Sequence, residues 1–269
     1  MGIKLDAGLV FLSDSRTNAG VDQISTFRKM MVYEKPDDRF MVLLSAGNLS
    51  ISQSVREILQ VEKLDNGNEP PITIWNATSM FDVARVLGSA IRRVYDQDAR
   101  ALQHAGIDFN ASLILGGQIR GEPMRMFLVY SAGNFIEATR ETCFFQIGES
   151  KYGKPVLDRM INPHTPLDQA AKCALVSMDS TLKSNLSVGL PLDLLVYEAN
   201  TSATEKIVCI DEHNPYFAMI RGAWGQKLRQ VFESIDEPQW GADAATYPLR
   251  SPSRYEPMGK IHGPGDKIV

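Results

Sequence analysis

The feature that most narrows the fold of this chain is the order of its hydrophobic periods. A block of short period-two segments is followed by two helical segments, a second strand block, two more helical segments and closing strands. Most strand connections are of hairpin length, which makes the sheets antiparallel, and each sheet has an apolar face to bury. Two stacked antiparallel sheets, each covered on its outer side by a helix pair, meet that requirement economically. The expected fold class is α+β, a four-layer αββα sandwich.

The segments are readable one by one. Residues 2–16 form a short alternating stretch, a turn, and the apolar run Gly8–Leu12 that ends in a polar cluster around Asp14, which reads as strand, turn, strand. Residues 29–34 and 39–45 read as a second hairpin around Pro36-Asp37-Asp38, and Asn48 with Ser50 supplies cap chemistry for a helix to about residue 63. Ser79 and Asp82 open a helix to residue 105, with Phe81, Ala84, Leu87, Ile91, Val94 and Tyr95 as its core stripe. Strands follow at 111–116, 124–130, 135–138 and 143–147.

Thr165 is placed to cap the next helix, with Pro166 at its first position, Asp168 near its positive end and an apolar face through Leu167, Ala170, Ala171, Ala174, Leu175, Met178 and Leu182. Strands at 192–197 and 206–210 and a helix over 216–235 complete a domain spanning 1–236. Residues 237–269 are proline-rich without periodicity, an extended tail that is either disordered or laid across a neighbouring subunit.

Composition excludes several classes. With 44% hydrophobic residues in 269, the chain can bury a sizeable core, and a net charge of −4 leaves no basic footprint for nucleic acid. The first residues lack the apolar core of a secretory signal, and the apolar runs fall far below the span of about 20 residues that a membrane helix requires. A cytoplasmic protein is expected. Cys143, Cys173 and Cys209 lack CxxC spacing and sit among apolar neighbours, so all three read as buried free thiols; the four histidines suggest no zinc site. No cofactor or nucleotide motif is present.

The segment Gly8-Leu9-Val10-Phe11-Leu12-Ser13-Asp14-Ser15-Arg16-Thr17-Asn18-Ala19-Gly20 resembles the start of proteasome β subunits, which are N-terminal-nucleophile hydrolases. Lys29 followed by Ser45-Ala46-Gly47 extends that resemblance, as do Tyr130-Ser131-Ala132-Gly133-Asn134, Gly148-Glu149-Ser150, Val156-Leu157-Asp158-Arg159 and Leu186-Ser187-Val188-Gly189. Ser-Asp-Ser-Arg-Thr-Asn-Ala-Gly-Val-Asp and Ser-Asn-Leu-Ser-Val-Gly-Leu-Pro look most like the bacterial ancestral β-subunit family, Anbu.

The resemblance implies a threonine-type peptidase whose nucleophile is the mature N-terminal threonine. Counting back from Asp14 in the family pattern puts that threonine three residues before Met1, where a start site placed too late or a truncation would remove it. It also implies that Lys29 is the ammonium beside the nucleophile, that Asp14 is its counter-charge, and that Gly47 offers a backbone N–H to the tetrahedral oxygen. Such a donor is worth about 3–4 kcal/mol in the transition state.

Ser150 and Ser187 match polar positions that orient the N-terminal amine in the family. The family's second acid, three residues before the Ser-Gly turn, falls on Ser184, and Asn185 beside it offers an amide oxygen but no charge. Family members self-associate into rings, and a ring or open spiral that takes a peptide or protein substrate is implied here. Three functions stay open: a threonine-type peptidase, a non-catalytic assembly protein on the same fold, and an N-terminal-nucleophile acylase or amidase.

Overall fold

A computed structural model describes residues 1–18, 24–65, 67, 70–201, 206–240 and 248–249. They group into two compact units, Met1–Gly222 and Ala223–Val269. No helix among the described residues is long and apolar enough to cross a membrane.

The first unit opens with β1 (Gly2–Leu5), β2 (Gly8–Asp14), β3 (Arg16–Asn18), β4 (Ile24–Thr26), β5 (Met30–Lys35) and β6 (Arg39–Gly47), followed by α1 (Leu49–Val61) and α2 (Met80–His104). The second half runs through β7 (Ala111–Ile119), β8 (Arg125–Val129), β9 (Phe135–Glu137), β10 (Phe144–Phe145), α3 (Lys154–Met160), α4 (Leu167–Ser184), β11 (Leu192–Glu198) and β12 (Lys206–Ile210) to α5 (Pro215–Glu233), within which the boundary between the units falls. In the second unit, β13 (Gln239–Trp240) and β14 (Pro248–Leu249) pair in parallel, and most of the expected tail lies outside the described residues.

Two five-stranded antiparallel sheets carry the fold, ordered β10-β1-β2-β11-β12 and β5-β6-β7-β8-β9. Strand periodicity sorts their side chains. Val10 and Leu12 of β2 face Ala170, Ala174 and Met178 of α4, while Leu9 and Phe11 face the other sheet and meet Phe40, Val42 and Leu44. On the far side Met41, Leu43, Leu113 and Leu115 pack under Ile51 and Val55 of α1 and Ala84, Leu87 and Ile91 of α2. Three apolar layers between four structural layers make the αββα sandwich. Every residue of β2 is buried because both faces of its sheet are covered.

Local chemistry sets the helix starts. The Asn48 side chain accepts from Ser50 N at 2.9 Å, and Ser79 Oγ accepts from Asp82 N at 3.1 Å; such caps each contribute about 1 kcal/mol. Gly116 makes room for the fully buried ring of Phe11, since a Cβ there would come within 2.7 Å of Phe11 Cζ.

Three expectations are corrected. Phe81 and Tyr95 are exposed, not core: Phe81 packs edge-on against Phe135 with the Arg125 guanidinium over its face, and Tyr95 packs edge-on against Phe109. The stripe of α2 that faces the sheet runs instead through Met80, Val83, Ala84, Leu87, Ala90, Ile91 and Val94. Thr165 does not cap α4: its hydroxyl accepts from Asn162 N at 3.0 Å in the preceding turn, and Pro166 holds the cap position without a side-chain bond. Cys143 and Cys173 are buried as expected, but Cys209 is exposed on β12, the outermost strand of its sheet.

Candidate active site

Where β1, β2, β5, β6 and the segment from α4 to β11 converge, a cleft of about 510 Å³ opens between the sheets. Asp14 closes β2, opposite Leu192 of β11, and Lys29 lies one residue before β5. Lys29 Nζ stands 2.8 Å from Asp14 Oδ1, the two side chains being 21% and 12% exposed. A largely buried ammonium is costly alone, and this carboxylate is its compensation. Asp14 Oδ2 accepts from Gly189 N at 3.4 Å, which joins the pair to the loop before β11.

That loop is held to the chain leaving β2. Ser15 donates to Pro191 O from both its N–H, at 3.1 Å, and its hydroxyl, at 2.7 Å, and Arg16 Nη1 donates to Leu186 O at 3.0 Å. A side chain at Gly189 would collide with the Arg16 guanidinium. On the opposite wall, Ser45 N donates to Lys29 O at 3.0 Å, so the lysine is anchored to the strand that delivers Gly47. Gly47 has φ +103°, and a Cβ there would lie 2.5 Å from Asn110 O; only glycine fits this strand end.

Of the residues singled out from sequence, Asp14, Lys29, Gly47 and Ser187 line the cleft. Ser150 and Ser184 lie outside its lining: Ser150 O accepts from Lys154 N at the start of α3, and Ser184 is the exposed last residue of α4. Their neighbours take part instead. Glu149 lines the cleft, its Oε2 accepts from Asn185 Nδ2 at 2.9 Å, and Asn185 Oδ1 accepts from Ser187 N at 2.8 Å and from Ser187 Oγ at 2.6 Å. The Glu149 carboxyl is held below the usual carboxylate range, first by the Lys151 backbone N–H and then by the Asn185 amide. Sequence reasoning passed over Glu149, although it stands at the centre of the Gly148-Glu149-Ser150 triplet.

Two further wall atoms, Ser13 Oγ and Gln146 Oε1, are buried without a hydrogen-bond partner among the described residues. Asp193, opposite Ser13 on β11, has its carboxyl pushed up by burial. Met1 forms the floor: its α-amine donates to Leu12 O at 2.7 Å, and Leu12 N donates back to Met1 O at 3.0 Å. Burial lowers the pKa of that amine to about 5. The cleft thus presents an ammonium clamped by a carboxylate, a glycine strand end and a hydroxyl held by an amide, an arrangement that suits stabilising an oxyanion.

The sandwich, with a lysine–aspartate pair at the open end of the space between its sheets, defines the N-terminal-nucleophile hydrolase class in its proteasome β-subunit form. No protein-family model matches the chain, and no curated protein matches it. Solved structures do. Anbu from Yersinia bercovieri is 48% identical, with a TM-score of 0.81 over 90% of this chain and 98% of that one. Anbu from Hyphomicrobium sp. strain MC1 is 44% identical, with a TM-score of 0.79 over 88% and 97%. The helical assembly of the Anbu complex from Pseudomonas aeruginosa is 43% identical, with a TM-score of 0.81 over 88% and 97%. The chain belongs to the Anbu family, the ancestral β subunits of the proteasome-like hydrolases.

Proposed function

We propose that this protein is a proteasome-type peptidase subunit that cleaves amide bonds through a threonine three residues before Met1 in a longer form of the chain, and that it works in the cytoplasm within a self-associated ring or spiral. The register of β1 on β2 supports this reading most directly. Met1 pairs with Leu12, so continuing the strand would put the first upstream residue opposite Ser13, the second opposite Asp14 and the third opposite Ser15. A threonine at that third position would end the strand beside the Lys29–Asp14 pair.

The chemistry divides as follows. The threonine hydroxyl adds to the substrate carbonyl carbon, and its proton passes to the α-amine, whose ordinary pKa of about 7.7–8.0 suits a general base. The carbon–nitrogen bond then breaks, the departing amine takes the proton, and water hydrolyses the acyl ester to restore the hydroxyl. Lys29 keeps the amine neutral and stabilises the developing alkoxide, Asp14 holds Lys29, Gly47 N–H faces the tetrahedral oxygen, and Ser187 orients the amine. Ser150 and Ser184 enter the proposal only as neighbours of the cleft wall. The domain boundary at residue 236, with 237–269 as a tail available to neighbouring subunits, belongs to the same reading, and the helical assembly of the Pseudomonas relative supports self-association.

The experiment is an extended chain with threonine at that position, exposed to an epoxyketone or lactone directed at N-terminal threonine. Covalent labelling detected by mass spectrometry is expected, and Lys29→Ala should abolish it with the fold intact. Unchanged labelling of the Lys29→Ala protein would refute the role of the lysine. An extended protein that assembles but never labels would favour the non-catalytic assembly reading.

A further inference from the structure

The family pattern places an acid near the Ser-Gly turn, and this chain carries Ser184 and Asn185 there. Three observations locate a replacement. Glu149, 36 residues away in sequence, lines the cleft and accepts from Asn185 Nδ2 at 2.9 Å. Because a carboxylate only accepts, the amide nitrogen of Asn185 is the atom that must face Glu149, which turns Asn185 Oδ1 toward the loop. That oxygen accepts both the N–H and the hydroxyl proton of Ser187, at 2.8 and 2.6 Å. With its proton committed to Asn185, the Ser187 oxygen has only lone pairs left for the cleft it lines.

We propose that Glu149, acting through Asn185 and Ser187, is the positioning acid of this site: its charge orients the relay so that Ser187 accepts a hydrogen bond from an amine in the cleft and raises the basicity of that amine. The inference rests on the reading of the cleft as an N-terminal-nucleophile site. Glu149 and Asn185 touch no reacting atom; they act through Ser187. The relay also accounts for how the turn manages without an acid of its own, since a carboxylate on the loop before α3 reaches the same hydroxyl through one amide. Among the described residues, the charged groups around this corner include Asp14 and Lys29 on the β2 and β5 side, Asp193 opposite Ser13, Arg16 against the 186–189 loop, and Lys151 beside Glu149.

The test uses the extended, threonine-bearing full chain and measures the α-amine pKa by competitive acetylation across pH, read by mass spectrometry of the N-terminal peptide. Glu149→Gln keeps an oxygen for the Asn185 amide but removes the charge, and it should lower the amine pKa by about half a unit. Adding Asn185→Asp puts a carboxylate directly on Ser187 and should restore the parent value. In a Ser187→Ala background, Glu149→Gln should have no further effect, whereas a purely through-space charge effect would persist.

An unchanged amine pKa in Glu149→Gln, failure of Asn185→Asp to restore it, or a full effect without Ser187 would each overturn the relay. Labelling by the epoxyketone is scored separately. A shifted pKa without labelling sustains the relay and refutes the peptidase reading, while labelling without a shift does the reverse.

Discussion

The α-amine of Met1 offers a quantitative test of the strand register at the floor of the cleft. In a chain that begins at Met1 this amine is buried and bonded to Leu12 O, and its pKa falls from 8.0 to about 5. Burial favours the neutral amine, so between pH 8 and 5 the unfolded chain binds a proton that the folded chain refuses. Stability from this group therefore rises with pH through that window, and as pH falls a cost appears below 8 and is complete near 5. Three pKa units correspond to about 4 kcal/mol, or about 8–16 °C in Tm for a domain of this size.

Adding three residues turns the amine into a peptide nitrogen with no charge to lose. The assay is thermal unfolding of the two proteins side by side at half-unit steps from pH 8 to 5. With the new α-amine of the extended protein blocked by acetylation, every remaining titrating group, including Glu137, Glu149 and Asp193, is common to both and cancels in the difference. The Met1-start protein should fall progressively behind the extended one as pH drops. A Tm difference constant across the window would refute the buried position of the amine, and with it the register from which the proposed nucleophile is placed.

Gly47→Ala should destabilise the fold by about 1–3 kcal/mol in urea unfolding, because its φ of +103° and the nearby Asn110 O both reject a Cβ; wild-type stability would show that the strand end relaxes freely. Asp179 on α4 is fully buried and ion-paired to Lys183 at 3.1 Å and Arg221 at 3.3 Å, with neither carboxylate oxygen in hydrogen-bond geometry. Replacing both cations by methionine should cost about 3 kcal/mol in chemical denaturation, and an unchanged midpoint would count against these pairs. Cys209 should react promptly with a thiol-specific disulfide reagent at pH 8, whereas Cys173, buried and with its thiol pushed up to about 11, should react only on unfolding; equal rates would contradict the burial pattern.

Much of this was legible because local patterns carry it. The apolar run of β2, the Asn48 and Ser79 caps, and the apolar face of α4 each show in a window of a few residues, and their order defines the layers. Legibility failed where a side chain's fate depends on a distant partner. Phe81 and Tyr95 fit the helical period of α2, yet Phe135 and Phe109 hold them at the protein surface. Thr165 is in the right place for a cap but is bonded to the preceding turn. Cys209 has apolar neighbours in sequence, but the position of β12 at the end of its sheet leaves it exposed.

The candidate site divides the same way. The sequence by itself determined the sandwich and the family resemblance, and through that resemblance singled out Asp14, Lys29, Gly47 and Ser187, which line one cleft. Only the tertiary structure decided that Glu149 reaches Ser187 through Asn185. The physical reason is distance along the chain: a hydrogen bond between residues 36 apart has no local period or spacing to betray it, and it exists only once both sheets and α4 have packed.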